Sequence, residues 1–325
     1  MTSIPPSGDD PAVEPWRADA PRPAPEPSPD TTAAGEHLPG APADGPQRPA
    51  PRPRGQAGWR PWTAWTAILA GFGATIFGGM IVAIVAAASG GDFEDPSPGV
   101  NIGLTFFQNA ALIGAALIFA YLAGAPRGRD FGLSRPDLGR AFGLLLVVWF
   151  GFYAVSAAWV AALSLDEEQT LPDELGIEGS TLNLALVIVL ITMIAPLGEE
   201  LFFRGYFFAA LRNWKGWVPA AIITGVVFGA IHIGSAPIGF TVPLGFFGFG
   251  LCWLYQRTGS LYPCIALHAL NNSVALGLTQ KWGAAEIVPL MAGAVIVSLA
   301  LAILLARVLD GKAARRAPPL AQPAG

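Results

Sequence analysis

Apolar and polar positions fall along this chain in long blocks rather than with the short periods of a soluble fold. Eight blocks, at 62–88, 102–125, 141–164, 181–211, 217–234, 239–256, 262–279 and 287–308, are apolar over about the length a helix needs to cross roughly 30 Å of hydrocarbon. They predict an all-α, polytopic membrane protein, a bundle of about eight transmembrane helices within residues 58–310. Only Gly234 to Ile238 separate the fifth block from the sixth. The flanks follow another pattern. Residues 1–57 hold fifteen prolines among Ala, Gly and scattered charges, with no apolar periodicity. Such a segment buries too little surface to offset its ordering entropy, so it is expected to be a disordered tether, as are residues 311–325.

The charges between the blocks orient the bundle. Arg127, Arg129, Arg135 and Arg140 lie between blocks two and three, Arg212 and Lys215 between four and five, and Arg257 between six and seven. Arg307, Lys312, Arg315 and Arg316 follow block eight. The alternate loops carry Asp92, Glu94 and Asp95 after block one and the acidic stretch 166–178 after block three, with Lys281 the single base on that side. This bias places both termini in the cytoplasm. Trp59, Trp62, Trp65, Trp214, Trp217 and Trp282 sit near predicted helix ends, where interface aromatics belong.

Composition narrows the class further. The chain of 325 residues is 53% hydrophobic and 13% charged, against about 25% charged in soluble domains. The net charge of −4 is spread over tails and loops, so no nucleic-acid partner is expected. Cys252 and Cys264 lie in apolar blocks and read as buried, inert thiols with no disulfide framework or paired zinc spacing. No repeat stands out, and the glycines of the sixth block, Gly239, Gly245, Gly248 and Gly250, read as close helix packing. The first apolar run, near Trp62, starts too far in and runs too long for a signal peptide, and a prokaryotic plasma membrane is the expected location.

The chemistry lies where the apolar pattern breaks. Glu199, Glu200 and Arg204 interrupt the fourth block. An ionisable residue at the bilayer centre costs ~2.5–3.5 kcal/mol on insertion scales, so these three must face a protein interior or a wet cavity. The chain has three histidines. His37 lies in the tail, whereas His232 and His268 lie in apolar blocks. A short turn makes blocks four and five an antiparallel pair whose midpoint falls between Lys215 and Gly216, so Glu199 and His232 are each roughly 24 Å from the turn and level. His268 starts lower, roughly 13 Å up its helix, a gap that tilt and a kink at Pro196 can close. Glu200 and Arg204 are four apart and can pair, as are His268 and Asn272, and Phe228 and His232. Glu199 and Glu200 differ by about 100° around the helix, so one can face a reacting centre while the other holds Arg204.

A carboxylate and an imidazole at one height can bind and deprotonate water, and a second imidazole with an Asn amide can donate to an oxyanion. That set suits hydrolysis of an amide bond. Glu199, His232 and His268 are also zinc-ligand types, so a metal-bound water from a divalent ion such as zinc is a second version of the same chemistry. Ser273 carries no mark of an activated nucleophile.

At these residues the chain resembles the CAAX protease and bacteriocin-processing (abortive-infection) family of intramembrane endopeptidases. The family pattern EExxxR, FxxxH and HxxxN is matched by Glu199-Glu200 with Arg204, Phe228 with His232, and His268 with Asn272. Phe131-Gly132-Leu133 and the run from Phe246 to Asn272 are similar as well, so the likeness covers about residues 125–280. The resemblance implies that Glu199 and His232 activate water, that Glu200 and Arg204 orient and balance the site, and that His268 and Asn272 stabilise the tetrahedral intermediate. It implies a membrane-associated protein or peptide substrate, with CAAX proteins expected from the eukaryotic branch. A proton- or ion-coupled transporter and a non-catalytic scaffold or immunity protein are the rival readings.

Overall fold

The computed structural model describes residues 58–89, 97–165, 175–177, 179–233, 236 and 238–316. The tail 1–57 and residues 317–325 lie outside them, as does most of the acidic stretch after the third block. The described residues form helices α1 (Pro61–Ala88), α2 (Pro98–Leu122), α3 (Leu138–Leu163), α4 (Thr181–Lys215), α5 (Trp217–Ala230), α6 (Ile238–Thr258), α7 (Tyr262–Thr279) and α8 (Ala284–Arg316). A single 3-10 turn, Gly128–Phe131, lies between α2 and α3.

Local chemistry sets the ends. The Asp137 carboxylate accepts from the Arg140 N–H at 2.9 Å and the Ser180 hydroxyl from the Asn183 N–H at 3.2 Å, capping α3 and α4. Pro98 and Pro263 occupy first-turn positions, where a missing N–H costs nothing. Gly216 (φ 82°) turns the chain between α4 and α5, and Gly259 (φ 63°) turns it between α6 and α7.

Six helices, α1 to α4, α6 and α8, are long and apolar enough to cross a membrane. The protein is a multi-pass membrane protein, and its outward face agrees: Leu69, Ile118, Phe150, Val226 and Ile296 are all at least 60% exposed. Two of the eight expected spans differ. With 14 residues, α5 reaches only about 21 Å, short of the bilayer core. α7 has 18 residues, but His268, Asn271, Asn272 and Ser273 make it too polar to face lipid, and much of it is buried.

The middle of the bundle is α4. Every residue from Leu201 to Leu211 is buried, and α1, α2, α5, α6, α7 and α8 all pack on this helix. α3 joins through α6 and α7. The fourth helix is also irregular, with π-helical turns at Leu190–Ile194 and Leu201–Phe208 on either side of Pro196. Proline removes a donor and crowds the preceding turn, and π-turns widen the helix there. Carbonyls of the first π-turn find side-chain donors instead: Asn272 Nδ2 reaches Ile191 O at 2.9 Å, and Ser298 Oγ reaches Met193 O at 3.1 Å.

Two boundaries and one side chain depart from expectation. α5 stops at Ala230, four residues before the end of its apolar run, which leaves His232 in the turn beyond. The last helix continues to Arg316, so residues 311–316 are helical rather than tail. Ala313 is buried there, and the Arg316 guanidinium stacks 5.5 Å from the Tyr121 ring centroid. Trp59 is no interface anchor either. It is 5% exposed and wedged between Phe131 and Tyr206, with centroids at 5.0 and 4.7 Å.

Glycines bring α5 and α6 together. A Cβ on Gly225 would meet Gly245 O at 2.7 Å, and one on Gly229 would strike Thr241 O. Backbone atoms cannot swing aside, so Gly229→Ala is expected to cost ~1–3 kcal/mol by overpacking. Gly114→Ala, with nothing within 4 Å of its Cβ, should keep stability or raise it slightly, since Ala holds a helix better than Gly. Thermal unfolding of the two variants in detergent makes the comparison.

Candidate active site

A cavity of about 250 Å³ opens in the bundle, lined from α4 by Glu199, from the turn after α5 by His232, and from α7 by His268, Asn271 and Asn272. Phe228 and Phe247 supply aromatic wall, and Thr105, Gln108 and Asn109 of α2 form a polar edge.

Behind the cavity lies a buried ionic cluster. Glu200 and Arg204 are fully buried, and Arg204 Nη1 donates to Glu200 Oε1 at 2.8 Å. The same oxygen accepts from His268 Nδ1 at 2.8 Å. Arg204 Nη2 donates to Gly248 O at 3.0 Å, and its guanidinium carbon sits 4.4 Å from the Phe228 ring centroid. Two hydrogen bonds and an aromatic face take the place of part of this cation's hydration, while Arg204 Nε and Glu200 Oε2 are buried without a protein partner. Gly248 permits the approach, because a Cβ there would lie 2.9 Å from Phe228 Cβ.

Both histidines have a defined polarity. A backbone carbonyl can only accept, so His232 Nδ1, 2.7 Å from Phe228 O, carries the proton, and in neutral His232 the lone pair is on Nε2. That bond also explains the short α5: Phe228 O is one of the last carbonyls of the helix, and the imidazole satisfies it. His268 is 3% exposed and held edge-on by Phe228 and Phe247, with centroids at 5.9 and 5.7 Å. Since Nδ1 is committed to Glu200, Nε2 turns toward the cavity and stands 3.9 Å from Glu199 Oε2.

Adjacent on one helix, the two glutamates face different surroundings. Glu200 closes the buried cluster, whereas the Glu199 side chain is 14% exposed and lines the cavity. Asn272 lines it too, but one of its amide hydrogens is used on Ile191 O. Among the described residues no three His, Cys, Asp or Glu side chains gather closely enough, as placed, to hold an ion. Both histidines commit Nδ1 to a protein acceptor, which leaves Nε2 as the nitrogen available to a ligand.

Some site residues escaped the sequence reading. Asn271, 6% exposed, lines the cavity with its Oδ1 unpartnered, and buried Asn109 likewise leaves its Oδ1 unpartnered. The signal for α2 was present: Thr105, Gln108 and Asn109 follow i, i+3, i+4 spacing and mark one polar face in an apolar run.

Comparison with known proteins places the motifs in context. Residues 181–274, which contain all six candidate residues, match the family model "Type II CAAX prenyl endopeptidase Rce1-like". The UPF0177 protein YxdF of Lactococcus lactis is 25% identical over 138 residues, 42% of this chain and 75% of that protein. The "Putative membrane peptidase YdiL" of Bacillus subtilis is 30% identical over 88 residues, 27% of this chain and 35% of that protein. No solved structure matches.

The buried cluster sets a stability expectation. Arg204→Met leaves Glu200 without its cation and should destabilise the protein by ~3–5 kcal/mol. Glu200→Gln/Arg204→Met should cost less than the sum of the single variants, because the stranded charge goes as well. A double-mutant cycle from unfolding midpoints checks the coupling.

Proposed function

We propose that this chain, which carries a Type II CAAX prenyl endopeptidase Rce1-like domain across residues 181–274, is an intramembrane endopeptidase in which Glu199 and His232 activate a water molecule. The observation that carries the proposal is one cavity lined by a carboxylate and two imidazoles with assigned polarity, within helices otherwise built for lipid.

In this mechanism a water enters between Glu199 and His232. Glu199 takes one of its protons, and His232 Nε2 accepts a hydrogen bond from the other while Phe228 O fixes the ring. The water oxygen attacks the carbonyl carbon of the scissile peptide bond, and the carbonyl π electrons move onto oxygen. The oxyanion receives hydrogen bonds from His268 Nε2–H and the remaining Asn272 amide hydrogen. His268 donates on both sides when it carries both protons, one toward Glu200 and one toward the cavity. Collapse of the intermediate breaks the C–N bond, and the proton held by Glu199 passes to the leaving amine. Glu200 and Arg204 touch no reacting atom. They hold His268 at its Nδ1.

The substrate class follows from the setting. A site within a membrane bundle selects a membrane-associated protein or peptide, and a CAAX-type C-terminus is the form the family description suggests. Bacterial relatives make the plasma membrane the proposed location.

Wild type, Glu199→Gln and His232→Ala are compared in proteoliposomes with a fluorogenic lipid-anchored peptide. Each substitution removes a group that handles a proton, so kcat should fall at least ~10²-fold with the fold intact. Full activity in either variant would reject the mechanism.

A further inference from the structure

A second cavity, of about 720 Å³, lies away from the candidate active site, where the start of α3, the start of α7 and the last turns of α8 meet. Its hollow exists because small side chains line the contact: Ala141 and Ala306 are buried and Ala266 is half-buried. Its walls are apolar and continue outward. Leu138 is 79% exposed, Phe142 63% and Ile303 42%, so the groove opens sideways onto the lipid-facing surface.

The lining also carries charge. Arg135 and Arg307 both line the groove and are exposed, and neither guanidinium is committed to a hydrogen bond or ion pair with the described residues. The carboxylate beside them, Asp310, accepts the Gly128 N–H at 3.0 Å and is tied to the turn before α3. Two guanidiniums therefore stand against one carboxylate in the lining of an otherwise apolar groove. In a membrane protein that combination fits a molecule with a hydrocarbon chain and an anionic head, since guanidinium donates to phosphate in a planar fork and basic pockets between helices take phospholipid headgroups.

We propose that this groove is a binding site for an anionic phospholipid of the bilayer, with one acyl chain over the alanines and the phosphate between Arg135 and Arg307. Such a lipid bridges α3 to α7 and α8. It is separate from the Glu199 cavity, so its presence does not depend on the reaction assigned there.

Native mass spectrometry of the full chain, titrated with phosphatidylglycerol or phosphatidylcholine in detergent, tests the site. The wild type should prefer phosphatidylglycerol by roughly thirtyfold, the factor expected from two arginines at a membrane surface. Arg135→Gln/Arg307→Gln should abolish that preference, and because both side chains are exposed the variant should fold. Ala266→Phe, which fills the hollow and leaves both arginines, should weaken binding of both lipids. Equal binding of the two lipids by wild type, or an unchanged preference in the double arginine variant, would overturn the proposal.

Discussion

One oxygen atom, Oε1 of Glu200, receives both a guanidinium and an imidazole in a part of the bundle with no exposed surface. Burying a lone carboxylate or guanidinium costs several kcal/mol per ion, and losing one partner strands the other. The three groups come from α4 and α7, and the second Arg204 bond runs to α6, so the cost is met only when these helices pack in one arrangement. Polar interactions in a membrane interior thereby do a task that apolar contact cannot do alone, because a leucine seam is nearly as content against lipid as against another helix. The cluster also sets which His268 nitrogen looks outward, and thus what the cavity can do.

The rest of the bundle is organised around keeping that interior closed. Large apolar side chains point outward, while glycines and alanines let α5 and α6 approach backbone to backbone. The two helices least suited to lipid, short α5 and polar α7, are those that bring the histidines to the cavity. The long apolar helices meet the bilayer requirement, so polar α7 and short α5, whose Ile222 and Val226 still face outward, need not span it.

Much of this was legible in the sequence because simple periodicities carry it. Spacing of four residues paired Glu200 with Arg204, and the 100° step separated the surroundings of Glu199 from those of Glu200. Block lengths located all eight helices. What was not legible depends on groups that hydropathy does not weigh. The α5 run continues past Ala230 in composition, yet the imidazole of His232 takes the Phe228 carbonyl and the helix ends early. Trp59 reads as an interface anchor by position, but Phe131 and Tyr206, distant in sequence, enclose it. The amide of Asn272 reads as open to the cavity until the π-turn of another helix offers it Ile191 O.

That π-turn has a consequence for how the fourth helix can vary. A widened turn holds one residue more than the α-helical phase requires, so everything after it is rotated by about 100° relative to an uninterrupted helix. Glu199 lies after the first such turn and Arg204 within the second. Removing a single residue between Leu190 and Ile194 would let the chain relax to regular winding without altering hydropathy, and would aim the cavity-lining carboxylate at a neighbouring helix. Chain length in this stretch therefore matters to the site as much as side-chain identity does, because it sets the direction in which the acidic pair points.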